Sequence, residues 1–169
     1  MNRSGHKVTK YNIEFDSLLE LDIYEEFLSR GIKLQRGESI TVEEPKTVCV
    51  PVYTNDSKDF TFKKESPLVR KIEYTPDFIW HTDDETINPK TNCERKGYDV
   101  FIEAKGFANE TFRYRWKLFK KWLDVYNPIA KVFLVKRRHN GRVKPKDNEA
   151  RILETKQIVD NIIKIIKND

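Results

Sequence analysis

Three acidic or basic side chains interrupt two apolar stretches of this chain where charge is costly. Asp77 stands in Tyr74-Thr75-Pro76-Asp77-Phe78-Ile79-Trp80, at the head of a strongly apolar strand pattern. Glu103 and Lys105 stand in Phe101-Ile102-Glu103-Ala104-Lys105-Gly106, near the end of another. Strand side chains alternate, so Glu103 and Lys105 share one side of their strand while Ala104 points to the other. With the two strands as neighbours, Asp77 and Glu103 converge at a separation that suits a divalent cation. Mg²⁺, or Mn²⁺ in its place, takes such company: one or two carboxylates, with the remaining positions left to water and substrate phosphate. The Ala104 carbonyl offers a further hard oxygen. Lys105 alongside can orient or help deprotonate an attacking water, or stabilise charge as it builds on phosphorus. These are the parts of a metal-assisted phosphodiester hydrolysis.

The elements that must position them follow from periodicity. Apolar residues at 15, 18, 19, 23 and 27 mark one face of a helix over about 16 to 29, with Asp16 or Ser17 as N-cap and Gly31 past its end. Glu20 lies on the shoulder of that stripe. From 32 to 80 the chain turns β-branched and aromatic in short runs, Ile40 to Val42, Thr47 to Tyr53, Phe60 to Lys63 and Ile72 to Trp80, which predict an antiparallel meander. Residues 81 to 97 contain little that is apolar and read as a long surface loop. A strand over 98 to 105, a helix over 112 to 126 and a short apolar run over 129 to 135, expected to be an interior strand, form a βαβ unit with parallel strands. A last helix over 148 to 167 carries a broad isoleucine face, for packing on the domain or on a second copy in a homodimer. The expected fold class is therefore α/β (α+β): one domain over 13 to 169, with a mixed sheet flanked by helices, after a flexible stretch over 1 to 12.

Pro76-Asp77 followed by Glu103-Ala104-Lys105 resembles the P-D…(D/E)-x-K signature of the restriction-endonuclease-like PD-(D/E)XK nuclease superfamily. The wider order, with Glu20 on a preceding helix, Tyr74-x-Pro76-Asp77-Phe78, Glu103-x-Lys105-Gly106 and then a basic aromatic helix, resembles its small phage-type members, which include Holliday junction resolvases. The resemblance implies a core of helix, three-stranded antiparallel meander, helix and fourth strand. It implies a Mg²⁺-dependent DNA endonuclease in which Glu20, Asp77 and Glu103 hold the metal and Lys105 assists the water, acting on branched or structured DNA. It also implies that Arg113 or Lys117 faces the active centre from the second helix.

Charge distribution fits an anionic partner such as DNA. The 169 residues carry 32 Lys and Arg against 27 Asp and Glu, a net +5, and five of the basic residues fall between 113 and 121. A second basic stretch, 131 to 146, contains no acid, and Arg137, Arg138 and Arg142 in its centre suit an exposed turn that grips phosphate. No apolar run reaches the length of a membrane helix, and the polar start lacks a signal-peptide core, so a cytoplasmic protein without membrane contact is expected. Cys49 and Cys93 are too few for a disulfide framework or zinc site, and no histidine has a partner motif. Plainer roles exist: a same-face ion pair for Glu103 and Lys105, a turn residue for Asp77, core packing for Trp116, Phe119 and Trp122. On those roles the chain is a non-catalytic nucleic-acid-binding module; a restriction or transposition nuclease needing a partner subunit is a third reading.

Overall fold

The computed structural model describes residues 7–47, 52–55, 62–65, 68–82, 85–87, 94–106, 109–136 and 148–168. The described residues begin with a hairpin, β1 (Val8–Lys10) and β2 (Ile13–Phe15), turned by Tyr11 and Asn12, both at positive φ. Two consecutive left-handed residues match the twist of a tight hairpin. The turn is held as the Tyr11 ring packs 5.8 Å from that of Tyr24.

Helix α1 (Leu18–Leu28) starts at Ser17, whose hydroxyl accepts the Glu20 amide. It ends as Gly31, at φ 76°, lets the Ile32 amide reach back to the Phe27 carbonyl and its own amide to Leu28. That is a Schellman closure, and only the glycine adopts its backbone without strain. The turn leads into β3 (Gln35–Arg36), a strand too short for the sequence pattern to mark.

The expected meander from 40 to 80 is replaced by a long two-stranded ribbon and a return to the main sheet. β4 (Ile40–Glu43) pairs with β9 (Ile72–Tyr74), β5 (Lys46–Thr47) with β8 (Leu68–Val69), and β6 (Val52–Asn55) with β7 (Phe62–Glu65), all antiparallel. The apolar run Ile72 to Trp80 is thus two strands, because Thr75-Pro76-Asp77 leaves the ribbon and β10 (Phe78–His81) joins a different sheet. The expected surface loop over 81 to 97 holds a further hairpin, β11 (Glu85–Ile87) against β12 (Glu94–Lys96).

β13 (Asp99–Ala104), α2 (Glu110–Tyr126) and β14 (Lys131–Val135) complete the main sheet, whose order is β14, β13, β10, β3. β13 is parallel to β14 and antiparallel to β10, and β10 is antiparallel to β3, so the sheet is mixed as expected. β14 is an edge strand among the described residues, not an interior one. Its run is apolar because helices cover both faces of the sheet. On one face Val100, Ile102 and Phe78 pack with Ile23 and Phe27 of α1 and with Val159, Ile162 and Ile166 of α3 (Asn148–Asn168). On the other, Phe101 meets Phe119 of α2 edge to face at 5.3 Å. The isoleucine face of α3 is therefore used within the chain. Arg30 bonds Asp160, Arg151 lies 3.1 Å from Asp22 in an ion pair without hydrogen-bond alignment, and the Tyr98 hydroxyl caps the Ile166 carbonyl. No described helix is long and apolar enough to cross a membrane.

Candidate active site

Asp77 reaches its position through the ribbon's return. Its carbonyl accepts the Gly37 amide at 3.3 Å, and Gly37 has no alternative here: a Cβ would stand 1.8 Å from the Pro76 carbonyl oxygen. The contact presses β3 onto Pro76-Asp77. One carboxylate oxygen of Asp77 then accepts the Ala104 amide at 2.7 Å, tying the side chain to the end of β13.

Glu103 faces it by register. Phe78 pairs with Ile102, so one step outward Asp77 stands opposite Glu103 on the face covered by α2. The Glu103 side chain is buried, one oxygen bound by the Lys105 ammonium at 3.0 Å and the other with no hydrogen-bond partner. Lys105 is further held 4.8 Å over the Phe112 ring. The two strands thus bring Asp77, Glu103 and Lys105 together, as the sequence pattern required.

Burial acts first on Asp77 and the Glu103 charge next, with a smaller push from Glu20; against the Ala104 amide and Lys105 they raise its carboxyl to about 7. Burial, then the Glu103 charge, likewise raises the phenol of Tyr74 far above its ordinary range. The two groups are close, yet no hydrogen bond of good geometry joins them.

Glu20 has other work. As the third residue of α1 it forms a capping box with Ser17, accepting the Ser17 hydroxyl at 3.0 Å and the Asp16 amide at 3.1 Å. The Arg36 guanidinium donates to the same oxygen as Asp16, at 2.9 Å, while lying 5.2 Å over the Phe78 ring. Arg36 and Glu20 belong to the sheet face opposite Glu103, and Glu20 reaches Asp77 by its field alone. Glu20→Ala is expected to lower stability by about 1–2 kcal/mol through loss of the cap, read by urea unfolding.

The fit to a divalent cation rests on Glu103. A buried carboxylate oxygen without a donor, opposite a carboxyl driven to hold its proton, is the chemistry of a site short of positive charge. Among the described residues no three His, Cys, Asp or Glu side chains form a metal-holding group. Asp77 and Glu103, opposite each other across the two strands, are the number of carboxylates that Mg²⁺ accepts when water and phosphate fill the rest.

Beside Glu103 lies a cleft of about 470 Å³, lined among others by Tyr74, Lys105, Asn109, Phe112 and Arg115. The α2 cation in this cleft is Arg115; Arg113 and Lys117, expected to face the centre, do not line it, and all three are exposed. Arg115 was legible, standing three residues after Phe112 and four before buried Phe119. Tyr74 stands in the quoted motif without a role of its own, and Gly37 carried no sequence signal, since a glycine in a turn suits many environments. Arg137, Arg138 and Arg142 lie outside the described residues. His81 bonds Asp99 at 2.9 Å at the far end of β13 from Glu103.

No family model, curated protein or solved structure matches this chain.

Proposed function

We propose that the chain is a Mg²⁺-dependent DNA endonuclease of the PD-(D/E)XK type, acting on branched or otherwise structured DNA. The observation that carries this reading is the placement of Asp77 opposite Glu103, with Lys105 bonded to Glu103 on the same strand, beside a cleft that Arg115 also lines. The mixed sheet supports it, with β3, β10 and β13 antiparallel and β14 parallel to β13.

Asp77, Glu103 and the Ala104 carbonyl would hold the cation, which when bound supplies Lewis-acid activation of water and charge neutralisation at phosphorus. Lys105 is set to orient the attacking water and to stabilise negative charge on the phosphoryl oxygens, its ammonium fixed between Glu103 and Phe112. Arg115 reaches the same cleft, and the exposed cations of α2, Arg113, Lys117, Lys120 and Lys121, continue a path for the backbone. In a homodimer two such sites would cut a symmetric junction in pairs.

The test is incubation of the purified chain with Mg²⁺ and a panel of linear, nicked, flapped and four-way DNA. Cleavage of a branched substrate is expected, reduced about 10²–10³-fold by Lys105→Ala and at least as far by Glu103→Gln. Absence of cleavage, or cleavage unaffected by both changes, overturns the reading. The exposed α2 cations favour one second reading, a non-catalytic nucleic-acid-binding module, whose DNA binding would be salt-sensitive yet indifferent to EDTA and to Asp77→Asn.

A further inference from the structure

Tyr74 ends β9 with its ring clamped by α2: stacked on Phe119 at 4.4 Å and 17°, and tilted against Trp116 at 5.8 Å. The residue is 4% exposed and lines the cleft beside Glu103. Its hydroxyl is buried without a hydrogen-bond partner, and so is one oxygen of Glu103. One group has a proton to donate and the other only lone pairs to accept it. Two complementary polar groups left unsatisfied side by side are rare in a folded protein, where burial ordinarily enforces pairing. The aromatic clamp holds the phenol in place, and Lys105 holds the other Glu103 oxygen.

We propose that Tyr74 is a positioning residue: its hydroxyl supplies the hydrogen bond that the second Glu103 oxygen lacks, directly or through one bridging water, and so fixes the carboxylate facing Asp77. The functional consequence rests on the metal-site reading above; the Tyr74–Glu103 interaction does not. A donor behind a metal-binding carboxylate orients it, and loss of such a partner typically weakens metal binding about 10- to 100-fold.

Labelling the ring carbon that bears oxygen with ¹³C in all seven tyrosines gives a direct readout, Tyr74 being the resonance missing from Tyr74→Phe. That resonance is expected at the position of a phenol donating to a carboxylate and with slow hydroxyl exchange, and both features are expected to disappear in Glu103→Gln. Tyr74→Phe, which keeps the ring and its stacking, is expected to raise the Mg²⁺ concentration for half-maximal binding about 10-fold by calorimetry, with the thermal midpoint kept. An ordinary, fast-exchanging Tyr74 hydroxyl that ignores Glu103→Gln overturns the proposal, as does unchanged Mg²⁺ binding by Tyr74→Phe. A wild-type protein that shows the NMR signature but binds no Mg²⁺ sustains the pairing and overturns the metal-site reading instead.

Discussion

Asp77→Asn is expected to abolish cleavage while making the metal-free protein more stable at pH 8. Burial, the Glu103 charge and, less strongly, Glu20 lift this carboxyl from 3.8 to about 7 in the folded chain. Between those values the unfolded chain carries the group ionised and the folded chain keeps its proton, so the folded state binds more protons. Stability of the wild type without divalent ions therefore falls as pH rises through this window and levels off above it. Asparagine retains an oxygen for the Ala104 amide and carries no charge. The gain at pH 8 is expected at roughly 1–3 kcal/mol, below the full value of the shift because the side chain is not wholly enclosed. It should be absent near pH 4. Thermal melts at pH 4, 6 and 8 with EDTA check the slope. Added Mg²⁺ is expected to raise the wild-type midpoint at pH 8 and leave Asp77→Asn unmoved. A variant no more stable than wild type at pH 8 would show that Asp77 is not held against its charge.

Gly37→Ala is expected to be severely destabilising. The added carbon would lie 1.8 Å from the Pro76 carbonyl oxygen and 2.7 Å from its carbonyl carbon, both backbone atoms that no rotamer change can move. Relief requires β3 and the Pro76-Asp77 link to separate, which breaks the Gly37–Asp77 hydrogen bond and shifts Asp77 away from Ala104. A cost above about 3 kcal/mol in urea unfolding is expected, with loss of cleavage in whatever fraction folds. Gly106→Ala is the control, since a Cβ there meets nothing within 4 Å. Equal stability of the two variants would contradict the close approach.

The juxtaposition of Asp77, Glu103 and Lys105 was legible because it combines two strong signals: charge set in apolar strands, and the period-two rule that puts Glu103 and Lys105 on one side. The βαβ unit was legible for a similar reason, since long helices and an apolar strand declare themselves by period. The ribbon was not. Its strands are two to four residues long and owe their pairing to partners distant in sequence, so the run from Ile72 to Trp80 gave no sign of dividing at Pro76. On α2 the resemblance points to Arg113 or Lys117, whereas the cation that lines the cleft is Arg115. Measured from the buried Phe119, the cation on the inward side is Arg115. The resemblance makes Glu20 a metal ligand, but a glutamate three residues after Ser17 is first of all a partner in capping the helix.

The ribbon also bears on how the chain folds. Roughly forty residues separate Arg36 from Phe78, neighbours in the sheet, and closing so long a loop in one step is entropically slow. The nested pairs divide the journey: Asn55 with Phe62, then Thr47 with Leu68, then Ile40 with Tyr74, each closing only a short remainder once the inner pair has formed. A hairpin that zips outward from its tip delivers Pro76-Asp77 to β3 as its last local act. The aspartate's half of the site can then assemble before β13 arrives with the glutamate. Residues added at the tip would lengthen only the first closure, whereas a single residue added between Tyr74 and Phe78 would put the zipper and the sheet out of step.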